Sequence, residues 1–254
     1  MTTPRCATAD GTTRFATRHG DRCLVLSHRL QQCITHAPQL EEELALANIA
    51  LDLLGQARVL YSYAADRLGA DSTEDDLAFG RAADEFGSPA LVEQPNTDFA
   101  AVIMRQLLHD VWALEFWTSL TNSTEQLFAD VAGKAVKETG YHVRHSSQWV
   151  VVLGDSTDAA HRRAQGALDS LWPYVDELFA ADATTEQLVA NGVIAHPGSL
   201  RPKWDVRVDA ILADATLQRP VTQSAAIRLG PSPELSTLID EMQQLPRAFP
   251  GARW

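Results

Sequence analysis

Residues 39–68 read QLEEELALANIALDLLGQARVLYSYAADRL, and the spacing of their apolar side chains decides the fold. Leu40, Leu44, Ala47, Leu51 and Leu54 recur at three- and four-residue intervals, and so do Leu46, Ile49, Leu53, Ala57 and Leu60. Each set is one stripe of a helix with about 3.6 residues per turn, so the segment predicts a long α-helix with two apolar faces. Such a helix is expected to be buried on most sides. Gly69 stands where a C-terminal cap belongs.

Upstream, Leu24, Leu26, Leu30, Cys33 and Ile34 predict a helix over 21–36 that stops before Pro38. Residues 1–20 are polar and irregular and read as a flexible N-terminal tail, which leaves 21–254 as a single helical domain. Downstream, 70–96 is a long connection with a short helix around 74–86, broken at Gly87-Ser88-Pro89 and again at Pro95. A third long helix spans about 98–121, with Asn96 or Thr97 as its cap. Ser123 and Gln126 have capping-box spacing and open a fourth helix, which runs to Leu153 before Gly154. A fifth covers 157–181 with Pro173 kinking it, and shorter helices follow near 185–190, 200–217 and 233–245. Gly133, Gly140 and Gly166 fall inside helices and read as close-packing points.

No alternating strand pattern or internal repeat interrupts this series, so the chain is all-α. Helices one and two, and helices three and four, are separated by short connections, which makes each pair an antiparallel hairpin. About 27 residues lie between the pairs. Two helical hairpins joined by one long crossover form the ferritin-like four-helix bundle, here with additional C-terminal helices.

The charge balance of −12 speaks against nucleic acid as a partner, because phosphate binding draws on clustered Lys and Arg. No run reaches the ~18 consecutive apolar residues of a membrane helix, and the N-terminus has no apolar run of a secretory signal. Cys6, Cys23 and Cys33 lack metal spacing. Within one helix, Cys23 and Cys33 would stand ~15 Å apart, beyond disulfide reach. A cytoplasmic location without membrane attachment is the expectation.

A ferritin-like bundle commonly holds two iron or manganese ions through a Glu on each of two helices and a Glu-x-x-His on each of the other two. No Glu-x-x-His occurs anywhere in this chain. The second helix has Asp52-Leu-Leu-Gly55, and the fourth has Glu138-Thr-Gly-Tyr141 with His142 one residue late. Asp158-Ala-Ala-His161 opens the fifth helix and reads as a solvated helix start.

The positions where metal would sit nevertheless remain polar. Asn48, Asp52 and Gln56 line up on the second helix, Gln106 and Asp110 on the third beside Arg105 and His109, and Lys134, Glu138, Tyr141, His142 and His145 on the fourth. Asp52, Asp110, Glu138 and His142 are the candidates for a vestigial site. Buried carboxylates are costly unless compensated, so Lys134, Arg58 or a protonated His142 would have to replace the charge of the metal. The alternatives are that these side chains face solvent, or that they still hold metal as an oxidase with unorthodox ligands. There is no nucleophile elbow, phosphate loop or dinucleotide fingerprint. Trp112, Trp117, Trp149, Trp172 and Trp204 read as core residues, one or two of which would suit an interface.

Residues 26–58, LSHRLQQCITHAPQLEEELALANIALDLLGQAR, resemble the C-subunit family of bacterial phenylacetyl-CoA epoxidase, the ring-1,2-monooxygenase of phenylacetate catabolism. EDDLAFGRAADEFGSPALVEQPN (74–96), KETGYHVR (137–144) and the C-terminal EMQQLPRAFPGARW are similar to that family as well. The likeness extends over about 21–254 and is poorest at 218–230. It implies a ferritin-like subunit with no metal or cofactor of its own, paired as a structural scaffold with a catalytic A subunit that carries two irons and binds the acyl-CoA. It further implies a hetero-oligomer with a small bridging subunit and a reductase that holds FAD and an iron–sulfur cluster, takes electrons from NADPH and serves an O₂-dependent epoxidation. A free-standing acyl-CoA-binding helical protein is the third reading that the residues leave open.

Overall fold

The structure, a computed structural model, describes residues 9–69, 72–221 and 231–249. Among the described residues there are ten α-helices and no strand: α1 (Gly11–Gln31), α2 (Leu40–Leu68), α3 (Glu74–Phe79), α4 (Ala90–Glu93), α5 (Phe99–Leu120), α6 (Gln126–Asp155), α7 (Asp158–Leu171), α8 (Ala183–Ala190), α9 (Arg201–Asp214) and α10 (Pro233–Ala248). The hairpins α1–α2 and α5–α6 form the ferritin-like bundle, with α2 set against α6 and the crossover carrying α3 and α4. α7 and α9 cover α5 and α6, while α8 and α10 pack on α1.

This cladding makes α5, not α2, the enclosed helix: every side chain from Ala100 to Ala113 is buried. Only one stripe of α2 faces inward. Leu46, Ile49, Leu53, Ala57 and Leu60 are all at most 5% exposed, whereas Leu40, Leu44, Leu51 and Leu54 are 66%, 57%, 62% and 37% exposed. The expectation that α2 is buried on most sides is therefore corrected. Its composition and length would also suit a membrane span, but its inner stripe is committed to the bundle.

The flexible tail is a second correction. α1 begins at Gly11, capped by the Asp10 carboxylate accepting from Thr13 N at 2.8 Å, and Thr13, Phe15, Ala16 and Thr17 are buried. Only residues 1–8 of the expected tail lie outside the described residues, as do 222–230 of the poorly matching stretch. α1 also ends five residues early, at Gln31, and the chain turns through Thr35 at φ +75°, a conformation that interrupts a right-handed helix. Cys23 and Cys33 are free and buried. The cap of α5 is Asp98, accepting from Ala101 N, rather than Asn96 or Thr97. Ser123 does not cap α6; its hydroxyl donates to the Val193 carbonyl. Pro173 ends α7 instead of kinking it, and two 3₁₀ turns follow.

Gly133, Gly140 and Gly166 face open space, so they are not packing points. The close approaches lie elsewhere. A Cβ on Gly20 would come within 2.6 Å of the Tyr61 ring, and one on Gly154 would overlap the Ala215 carbonyl; α6 runs through Gly154 to Asp155.

Two buried networks tie the crossover to the bundle. Arg29 on α1 donates to the Glu93 carbonyl at 2.7 Å, and Arg105 on α5 donates to the Gln94 carbonyl at 2.5 Å and Asn96 Oδ1 at 2.7 Å. Asn96 in turn donates to the Arg29 carbonyl at 2.6 Å, so LVEQPN is held by main-chain and side-chain bonds from both hairpins. In the other network Asp21 of α1, 1% exposed, takes bonds from Tyr61 Oη at 2.6 Å, Gly87 N at 2.7 Å and the Arg81 guanidinium.

Candidate functional site

The polar core lies between α1, α2, α5 and α6, and its deepest member is Asp110, which is fully buried. Gln106, one turn earlier on α5, donates to Asp110 Oδ1 at 2.8 Å. The Ser146 hydroxyl stands 3.1 Å from Asp110 Oδ2 and 2.9 Å from the His142 carbonyl oxygen. Burial pushes the Asp110 carboxyl well above its ordinary 3.8, against the opposing pull of these two bonds. The Ser146 hydroxyl has both the Asp110 carboxyl and the His142 carbonyl within donating distance. Burial, reinforced by the charge of Arg22, likewise keeps His109 neutral.

The other candidates lie closer to the seam between α2 and α6. His142 Nε2 is 3.0 Å from Asp52 Oδ2, with the His142 side chain 3% exposed and that of Asp52 39% exposed. Burial lowers the pKa of His142 despite Asp52, so the imidazole donates as a neutral ring. Gln56 Nε2 donates to Glu138 Oε2 at 3.1 Å, and Cys23 Sγ points to Gln56 Oε1 at 3.7 Å. Lys134 Nζ is 2.9 Å from Glu138 Oε1, but its side chain is 78% exposed. Arg58 does not reach this core: it pairs with Glu74 at 2.9 Å and is 74% exposed, having turned roughly 200° around the helix from Gln56.

The same geometry explains the row Asn48, Asp52, Gln56. Four-residue steps drift by about 40° each, so the row passes from exposed Asn48 through half-buried Asp52 to buried Gln56. Sequence reasoning gave no partner to His145, whose Nε2 lies 2.7 Å from Glu42 Oε2 in the first turn of α2. Asp158 is exposed in the first turn of α7, while His161 Nδ1 donates to the Gly154 carbonyl at 2.7 Å.

The notion of a replacement cation is thus corrected. Lys134 sits at the surface and Arg58 is elsewhere, and burial shifts the Asp110 carboxyl toward its neutral form. Among the described residues no three His, Cys, Asp or Glu side chains converge as donors to one ion. A di-iron pair in this fold takes four carboxylates and two histidines, whereas here Asp110 is held by Gln106 and Ser146, Glu138 by Gln56, and Asp52 meets a single histidine, His142. These side chains do not fit a di-iron centre.

The raised pKa of Asp110 ties stability to pH. In the unfolded chain Asp110 ionises near its ordinary 3.8, while the folded chain retains the proton to far higher pH. The native state therefore binds more protons above about pH 4, and its stability falls as pH rises through that range. Asp110→Asn keeps the Gln106 and Ser146 partners without an ionisable group. It should leave stability near pH 4 nearly unchanged and raise it at pH 8, read as the melting temperature at both pH values. A variant less stable at pH 8 than the parent contradicts a raised Asp110 pKa. Lys134→Met and Arg58→Met should each cost no more than about 1 kcal/mol in urea unfolding, as for exposed ion pairs. A loss of several kcal/mol from either would restore it as the compensating cation.

Over residues 2–254 the chain matches the family model described as phenylacetic acid catabolic protein. It is 43% identical over 247 residues to the C subunit of 1,2-phenylacetyl-CoA epoxidase from Escherichia coli (strain K12), covering 95% of this chain and 98% of that protein. A match running through both hairpins, the crossover and the C-terminal helices is not confined to a shared motif. The chain belongs to the phenylacetic acid catabolic protein family.

Proposed function

We propose that this chain is the non-catalytic structural subunit of a multicomponent phenylacetyl-CoA epoxidase in phenylacetate catabolism, and that it scaffolds the di-iron catalytic subunit. The observation that carries the reading is the outer stripe of α2. Leu40, Leu44, Leu51 and Leu54, with Val59 beyond them, stand exposed, and Tyr141 across the seam on α6 is 66% exposed. Large apolar side chains grouped along one face mark an interaction surface. Exposed Lys134 and Arg144, the latter with its guanidinium 5.2 Å from the Tyr141 ring, give the patch a polar rim.

The subunit designation of the Escherichia coli relative fits a chain that works within an assembly. A homologous bundle suits this stripe, since helices meet by setting the ridges of one into the grooves of another. The amide side chains of Gln56 and Gln106 bonded to Glu138 and Asp110 support a chain that binds no iron itself, leaving the redox groups to the catalytic subunit and the reductase. Co-expression with the catalytic subunit should give one complex on gel filtration at moderate salt, with iron only in the partner. Separate elution of the two chains, or about two irons per isolated copy of this chain, would overturn the assignment.

A further inference from the structure

A cavity of about 400 Å³ opens on the flank of the bundle away from that stripe, and no residue of α2 or α6 lines it. Its inner wall is a single face of α1, where Phe15, Arg18, His19 and Arg22 recur at helical spacing, set against Trp112 and Phe116 of α5. The rest comes from the crossover, including Phe86, and from α8 and the segments before and after it. The volume lies within the range of small-molecule sites, about 300–1,000 Å³.

The electrostatics of this wall are unusual. Arg22 is 2% exposed, and its guanidinium carbon lies 4.2 Å from the Trp112 ring centre and 4.8 Å from that of Phe116. Among the described residues its Nε and Nη2 have no hydrogen-bond partner. Burial lowers its pKa to about 10, which leaves it charged at neutral pH. His19 Nδ1 is enclosed and also lacks a partner among the described residues. Of the three acids that line the cavity, Asp182 holds Arg18 at 2.7 Å and caps α8, Glu177 accepts from Ala90 N at 2.8 Å, and Asp84 is exposed. A buried cation without an anion is costly, and an anion that entered the cavity would relieve that cost.

We propose that this cavity is a binding site for a small aromatic carboxylate, its acid group on Arg22 and its ring among Phe15, Phe86, Trp112 and Phe116. A guanidinium offers a planar donor fork that matches a carboxylate. Trp112 and Phe116 are already stacked, with ring centres 4.7 Å apart, and present apolar surface beside that fork. The site lies on different elements from the docking stripe and does not rest on the scaffold reading.

The test titrates the full chain with benzoate, phenylacetate and 3-phenylpropanoate, followed by tryptophan fluorescence and by calorimetry. At least one acid should bind saturably at one site per chain, at least tenfold more tightly than 2-phenylethanol, acetate or sulfate. Arg22→Met should weaken that binding at least tenfold. Ala195→Phe, which narrows the cavity without touching the charge, should weaken it too and serves if the Arg22 variant does not fold. Absence of saturable binding by all three acids, equal binding of the alcohol or of sulfate, or unchanged binding in folded Arg22→Met or Ala195→Phe would each overturn the assignment. Assembly with the catalytic subunit should be unaffected by either substitution.

Discussion

Arg81→Met should destabilise the chain by about 3–5 kcal/mol, the cost of removing one member of a buried ion pair and leaving the other charge uncompensated. The guanidinium is 8% exposed and meets both oxygens of Asp21. It also donates to the Leu77 carbonyl at 2.7 Å and the Glu85 carbonyl at 2.9 Å, and its carbon lies 4.2 Å from the centre of the Phe86 ring. Gln243 of α10 donates to the Arg81 carbonyl at 2.6 Å, so α1, the crossover and the C-terminal helix all meet at this residue. Methionine fills much of the volume but offers nothing to the carboxylate, which would keep only its bonds from Tyr61 Oη and Gly87 N. Asp21→Asn should cost less than Arg81→Met, since the amide oxygen still accepts from Tyr61. Adding Asp21→Asn to Arg81→Met should recover part of the loss by removing the stranded charge. Urea unfolding of the four proteins checks this. A loss under about 1 kcal/mol for Arg81→Met would mean that the pair contributes no more than an exposed one.

How far the fold is legible in the sequence depends on the kind of signal each element carries. α2, α5 and α6 are visible because long apolar stripes at helical spacing have no other explanation in a chain without strand patterns. The first half of α1 is hidden because Arg14, Arg18, His19 and Arg22 break the apolar period, although Phe15, Ala16 and Thr17 between them are buried. Asp21 looks like a helix start and is a core residue, since its partners Tyr61, Arg81 and Gly87 lie 40, 60 and 66 positions away. In the candidate site the residue types are legible and the pairings are not. Asp52, Asp110, Glu138 and His142 are all inside or at the seam, yet the roughly 200° between Gln56 and Arg58 decides which of two neighbours reaches Glu138. Nor can periodicity report what covers an apolar stripe. The two stripes of α2 look alike in sequence; one is filled by this chain and the other is left open.

That open stripe gives the other large effect. Leu44→Glu combined with Leu51→Glu should abolish assembly with the catalytic subunit while leaving the isolated chain folded. Both side chains stand on the same face two turns apart, 57% and 62% exposed. In the free chain, substitutions at such positions change stability by no more than about 0.5 kcal/mol, and added acids favour solubility. In the complex each glutamate would lose its water against an apolar partner without gaining a cation. Burying an unpaired carboxylate costs several kcal/mol. Even about 2 kcal/mol at each position lowers affinity roughly a thousandfold, since about 1.4 kcal/mol is a factor of ten. Val206→Glu on α9 is the matched control: Val206 is 72% exposed but lies on a different helix, so it should leave co-elution intact. Comparing the three proteins by gel filtration with the catalytic subunit, and by circular dichroism alone, separates a lost interface from a lost fold. Undiminished co-elution of the double variant would show that the partner sits on another face. A control that fails equally would show that surface charge, not this stripe, governs assembly.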